Sequence, residues 1–266
     1  MSIWDSRVIL IYCCCVAAIL GAVFGSFLNC AAWRIANGES VLKGRSHCTA
    51  CGHVLGVLDL VPVLSWLLLK GKCRYCGTKI PARYPLTELL FALLTVLCLL
   101  RFDLTWLCLR NWIFLCCLFC LSLVDLENMI IPDRCLVIAV LAWVVFLPLA
   151  FPGWGAVLRS VLAAVVFGGC LLGLSLVMDR ILGKDSLGGG DIKLFAVIGL
   201  YLGFAGTLFA TVLACVLGLV FAAVKRRHSP DTEESEPFPF GPAIALAGAL
   251  VLLYGEPLIR WYLSLF

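Results

Sequence analysis

The sequence predicts an all-α polytopic membrane protein of about eight transmembrane helices carrying a small cytoplasmic four-cysteine zinc module. Three observations predict this class. Hydrophobic residues make up 63% of the 266 positions and charged residues 14%, with a mean hydropathy of +1.07, far from the composition of soluble domains. The apolar residues fall in runs approaching the roughly 20 residues that cross a hydrocarbon core. The largest polar region holds two Cys-x-x-Cys pairs. A net charge of +4 comes with no basic face interleaved with aromatics, so nucleic acid is not an expected partner.

The runs are 8–28, 86–100, 104–124, 135–151, 157–178, 194–206, 207–224 and 242–264. The first has no small-residue cleavage site and is followed by seven more, so it reads as a retained helix rather than a signal peptide. With the N-terminus outside, the loops 29–85, 125–134, 179–193 and 225–241 share one side and hold 15 of the 20 Lys and Arg residues. That side is cytoplasmic by the positive-inside rule, and the protein belongs in the plasma (inner) membrane, in contact with the lipid bilayer. Three parts follow: a first transmembrane helix at 1–28, a cytoplasmic module at 29–85 and a transmembrane domain at 86–266. The loop "KRRHSPDTEESEPFPFGP" at 225–242 reads as a solvated linker, basic at the helix end and acidic beyond.

Within the module, Cys48 and Cys51 form one pair and Cys73 and Cys76 the other, each followed by a knuckle glycine, Gly52 or Gly77. Tetrahedral Zn²⁺ takes four ligands, and two such turns supply two each. The pairs could instead be redox disulfides, but stable disulfides are rare on the reducing side of a membrane. His47 and His53 read as bystanders, because four thiolates fill the coordination shell. The other twelve cysteines, Cys13, Cys117 and Cys120 among them, lie in or beside apolar runs and read as small hydrophobes. Between the pairs, "LGVLDLVPVLSWLLLKG" is interrupted by Asp59, Pro62 and Ser65 and reads as an interfacial or re-entrant piece.

Acidic residues in or at the ends of spans need a reason, since Asp at the centre of a membrane helix costs about 2.5–3.5 kcal/mol on the insertion scale. Asp133 follows Pro132 and reads most simply as a cap of the fourth run; Asp179 beside Arg180 reads as an interfacial ion pair. Asp191 follows the glycines at 188–190, which suggest a sharp turn or a close backbone approach beyond the needs of a cap. Asp125 closes the third run, where the helix dipole opposes a carboxylate. Two crossings separate Asp125 from Asp191, placing both at one face and similar depth. They are the candidate catalytic pair.

These stretches resemble a known family. Gly188, Gly190 and Asp191 in "GGGDIK", which also contains Lys193, match the Gly-x-Gly-Asp motif of intramembrane aspartyl proteases. The stretch "DLENMIIPD" from Asp125 through Pro132 to Asp133 is similar to the partner motif of the type IV prepilin peptidases. The likeness extends in order through "FGSFLNCAAWR" at 24–34, both cysteine pairs, "PVLSWLLLKGKCRYC" at 62–76, "RYPLTELL" at 83–90 and "PFGPAIALAGA" at 239–249. It implies proteolytic roles for Asp125 and Asp191, with prepilins or pseudopilins as substrates cut at the cytoplasmic face. It also implies N-methylation of the new terminus with S-adenosylmethionine, an activity associated with the cysteine-bearing region. A homo-oligomer is compatible with the sequence.

The chemistry has its own logic. Water cleaves an amide when one carboxylate removes its proton while a protonated partner hydrogen-bonds the carbonyl oxygen, and two close carboxylates share one proton. For methyl transfer, no strand followed by a glycine-rich turn offers a Rossmann-type site. Asn29, Arg83 and Glu88, near the cytoplasmic ends of the first two runs, are the candidates for the amine or cofactor, against the alternative that they merely anchor helix ends. Two readings from other classes are a membrane thiol oxidoreductase and a cation transporter with Asp125 and Asp191 at broken helices. Neither accounts for the ordered set of motifs.

Overall fold

The computed structural model describes residues 6–41, 43–150, 153–183, 187–228 and 239–263. Most of the acidic linker and the Lys184–Ser186 stretch ahead of the glycines lie outside the described residues. The chain divides into two compact units, Met1–Cys108 and Leu109–Phe266.

In the first unit, α1 (Arg7–Ala36) packs along α3 (Arg83–Phe102). Two glycines one turn apart make the approach possible. A Cβ on Gly21 would stand 2.7 Å from the Cα of Ala92, and one on Gly25 3.0 Å from the Cα of Glu88. This is the small-xxx-small seam by which apolar helices bring their backbones together. Away from this seam α1 exposes apolar side chains, Val8, Ile11, Tyr12 and Ile19 among them, as a lipid-facing helix does. Because α1 runs on to Ala36, past the expected end at 28, Asn29 and Arg34 stand on a helix. Between α1 and α3 lie two cysteine turns, a 3₁₀ turn at Val57–Asp59 and the five-residue α2 (Leu64–Leu68). The apolar stretch between the pairs is therefore no crossing. It leaves Val57, Leu58, Leu64, Leu67 and Leu68 exposed.

The second unit contains most of α4 (Trp106–Asn128), then α5 (Asp133–Val145), α6 (Leu147–Ala150), α7 (Trp154–Leu182), α8 (Gly189–His228) and α9 (Gly241–Leu263). Helix α8 packs on α5, α7 and α9, with Leu194, Phe195, Ile198, Ala210 and Ala214 of α8 and Ile244 and Ala247 of α9 all buried. At Gly199 a Cβ would meet the backbone of Ala164 at 2.8 Å. Tyr201 stacks on Phe114 at 3.8 Å, and its hydroxyl donates to the Ala139 carbonyl at 2.7 Å.

The described parts of the eight expected apolar runs are largely helical, and five helices of the described residues are long and apolar enough to cross a membrane: α1, α3, α4, α7 and α8. The fourth run splits into α5 and α6; the 13 residues of α5 reach only about 20 Å at 1.5 Å per residue, short of a roughly 30 Å core. The sixth and seventh runs form the two helical segments of α8, which meet at a non-helical Gly203 (φ 66°, ψ −170°), three residues before the boundary read from the sequence. The last run forms α9, Gly241–Leu263.

Candidate functional site

Asp125 lies in the last turn of α4 and is 4% exposed. Its Oδ2 accepts the backbone N–H of Gly241, the first residue of α9, at 3.0 Å. The dipole of α4 opposes a carboxylate there, and the amide end of α9 supplies the compensating donor. Sequence reasoning missed Gly241. The available signal was Gly241-Pro242 ahead of an apolar run, a helix-start pattern, but nothing local links it to a residue 116 positions away.

Asp191 is half-buried in the first turn of α8. Its amide and that of Ile192 both donate to the Gly188 carbonyl, at 3.0 and 3.3 Å, and its carboxylate folds back over Gly188, with Oδ2 3.2 Å from where a Cβ would stand. The expected sharp turn is absent: Gly189 and Gly190 are helical, and none of the three glycines has a positive φ. The close approach is real, however. A Cβ on Gly190 would lie 2.9 Å from the Cβ of Ile131.

The two acidic motifs meet through that contact and through an ion pair, Lys193 Nζ to Asp133 Oδ1 at 2.7 Å. Asp133 does not cap α5. It is the first helical residue and Pro132 holds the cap position. The pair is largely exposed, so its contribution to stability is about 0–1 kcal/mol. Asp179 accepts a hydrogen bond from Ser175 Oγ at 3.3 Å.

In the first unit the four cysteines converge. The sulfurs of Cys48, Cys51, Cys73 and Cys76 lie within 4.8 Å of one another, and those of Cys48 and Cys76 are 3.9 Å apart. Tetrahedral Zn–S bonds of about 2.3 Å place sulfurs about 3.8 Å apart, so the tetrad fits a metal with little movement. The two turns are built alike. The Cys48 and Cys73 amides donate to His53 and Thr78, and Gly52 and Gly77 donate back to Cys48 and Cys73. Gly52 and Gly77 have φ of 69° and 72°, the left-handed region that a glycine enters without strain. Amides of Cys51 and Ala50 lower the Cys48 thiol, and the hydroxyl and amide of Thr78 bring Cys76 down to about 6, both toward the thiolate a metal binds. His47 packs edge-on to Trp33 and His53 against Tyr75, outside the tetrad.

Beside the tetrad is a cleft of ≈ 350 Å³ whose wall includes Asn29, Trp33, Trp66, Tyr84 and Glu88. Asn29 is tied to Thr87, donating to its hydroxyl at 2.8 Å. Glu88 Oε2 accepts the Val63 amide at 2.8 Å. Asn29 and Glu88 thus share one cavity. Arg83 is not on its wall and lies over the Tyr84 ring at 5.1 Å.

A family model described as the Type IV leader peptidase family matches residues 112–223, and one described as the bacterial peptidase A24 N-terminal domain matches residues 19–102. A prepilin leader peptidase/N-methyltransferase of Aeromonas salmonicida (strain A449) is 36% identical over 239 residues, 85% of this chain and 76% of that protein. The chain belongs to the type IV leader peptidase family. Its relatives in that family reach beyond one lineage. Proteins of the same name from Bacillus subtilis (strain 168) and Pseudomonas aeruginosa are 32% identical over 249 residues and 33% over 224. These alignments cover 93% and 82% of this chain, and 96% and 74% of those relatives. No solved structure matches the chain. A member of this family with five such helices is a multi-pass membrane protein, and nothing favours the oxidoreductase or transporter readings.

Proposed function

We propose that this chain is an aspartyl endopeptidase of the inner membrane that removes the leader peptide of prepilins or pseudopilins and then N-methylates the new terminus. The observation that carries the peptidase half is the meeting of the two acidic motifs around Asp125 and Asp191, with Gly241 donating to one carboxylate. In this reading the two aspartates share one proton. Gly241 fixes Oδ2 of Asp125, leaving Oδ1 to carry or release that proton. The ionised carboxylate removes a proton from water as it attacks the scissile carbonyl, and the protonated one hydrogen-bonds the carbonyl oxygen. The shared proton then passes to the leaving amine.

Cys48, Cys51, Cys73 and Cys76 would hold one structural Zn²⁺, tying the two knuckles into a single unit, because metal binding and folding are linked in such modules. S-adenosylmethionine would supply the methyl group. The Lys/Arg bias of the loops supports a cytoplasmic module, and the exposed apolar residues around α2 support its resting against the bilayer.

Purified protein incubated with a synthetic prepilin segment tests the reading. Cleavage after the leader, followed by methylation of the new terminus once S-adenosylmethionine is added, is the expected result. An intact segment would refute it.

A further inference from the structure

The cleft in the first unit contains an acidic group whose chemistry is incomplete. Glu88 is 8% exposed, and no cation pairs with it among the described residues. The neighbouring carboxylate on the wall, Asp59, is neutralised by Arg74 at 2.6 Å. Arg34, also on the wall, spends Nη1 on the carbonyls of Val41 and Lys43, at 3.0 and 3.2 Å. Glu88 uses one oxygen, Oε2, on the Val63 amide. A buried carboxylate without a cation is costly, and this one faces a cavity of the size that holds small ligands, about 300–1,000 Å³.

The backbone beside it is strained. Val63 sits at φ 62°, ψ −50°, and the Leu64 amide donates to the Pro62 carbonyl at 2.6 Å. That is the rare, strained form of the three-residue γ-turn, here on a β-branched residue. Strain of this kind persists where the surroundings hold it in place and clusters at functional sites. Glu88 is the group that holds it. The aromatic side chains of Trp33 and Trp66 on the same wall are of the kind on which a cation or a flat ring rests.

We infer that this cleft is the methyl-transfer chamber and that Glu88 binds the freshly cut N-terminal ammonium of the substrate through Oε1. The inference rests on the methyltransferase half of the function proposed above. The ammonium passes a proton to Glu88, which frees the nitrogen lone pair. The N–C bond to the donor's methyl forms as the C–S bond breaks, the electron pair staying on sulfur. The products are a methylated ammonium, S-adenosylhomocysteine and the proton left on Glu88.

The test is Glu88→Gln, which keeps an acceptor for the Val63 amide and removes the charge. Binding is measured with a synthetic peptide beginning at the new terminus and with its N-acetylated form, in the presence of S-adenosylhomocysteine. The wild-type protein should prefer the free amine by about tenfold to a hundredfold, the range of a charge-assisted contact, and the variant should lose that preference. Methylation should fall at least as far, while leader cleavage and the affinities for S-adenosylmethionine and S-adenosylhomocysteine stay within about threefold. Ultraviolet cross-linking of S-adenosylmethionine should label peptides from 26–34 or 60–88.

Unchanged amine preference in Glu88→Gln overturns the inference. A tenfold loss of affinity for either donor compound assigns Glu88 to the donor and overturns it too, as does cross-linking confined to 109–266. A wild-type protein that cleaves but neither binds donor nor methylates removes the methyltransferase reading itself, a result visible without any variant.

Discussion

Replacing Gly241 with alanine places a methyl group 2.7 Å from Oδ2, 3.0 Å from Cγ and 3.3 Å from Cβ of Asp125. No backbone strain opposes the change, because Gly241 is not among the residues with positive φ. The collision is with the end of a side chain, so the carboxylate moves and the helices stay. The cost therefore falls on catalysis more than on stability. Moving the carboxylate breaks its hydrogen bond to the Gly241 amide, a charge-assisted contact of about 1.5–3 kcal/mol, and displaces a reacting group by a distance on the scale that costs about 10²-fold in rate. Leader cleavage, followed by gel or mass spectrometry on purified protein, should fall about tenfold to a hundredfold in kcat/KM. The melting temperature should move by only a few degrees, and methylation of a pre-cut peptide should be unaffected. Cleavage at the wild-type rate would refute the idea that the α9 amide orders Asp125.

Gly21→Ala should act in the opposite way, since its Cβ would meet the Ala92 backbone at 2.7 Å and α1 must separate from α3; overpacking of this kind costs about 1–3 kcal/mol, read as a lower melting temperature. Cys51→Ser should lower bound zinc, measured by metal analysis, and impair methylation more than cleavage, because the aspartates are on other helices. Zinc-free purified protein carrying two disulfides would contradict that. Cys48 and Cys73 should stay unmodified when intact cells are treated with a membrane-impermeant thiol reagent, even with metal removed; strong labelling would invert the topology. Gly190→Ala, set against the Cβ of Ile131 at 2.9 Å, should abolish cleavage by separating the two acidic motifs.

What could be read from the chain was whatever local spacing encodes. Asp125, Asp191 and the four cysteines stand out because each violates the chemistry of its surroundings or repeats at a ligand spacing; the structure gathers the four sulfurs and joins the stretches that carry the aspartates through Gly190–Ile131 and Lys193–Asp133. The break in α8 left a trace as well, at Gly203 near the boundary between two apolar runs. What stayed hidden depends on tertiary partners. Asp133 looked like a cap because Lys193, its partner, is 60 residues away. The glycines before Asp191 suggested a sharp turn or a close approach; the second is what occurs, Gly190 making room for Ile131 from the loop between α4 and α5. The span count was unreadable for a related reason: hydropathy marks α5 as apolar without revealing that it ends after 13 residues. Glu88 was read as a candidate for the amine or cofactor, and only the folded chain shows the strained Val63 turn that it holds.

The central claim is that Asp125 and Asp191 act together to cut the leader. The most direct measurement is the N-terminal mass spectrum of a prepilin co-expressed with the wild-type chain, with Asp125→Asn or with Asp191→Asn, each confirmed as folded in the membrane. The account predicts a shortened, singly methylated N-terminus with the wild type and an intact, unmethylated leader with either variant. A processed N-terminus produced at the wild-type level by either folded variant would contradict it.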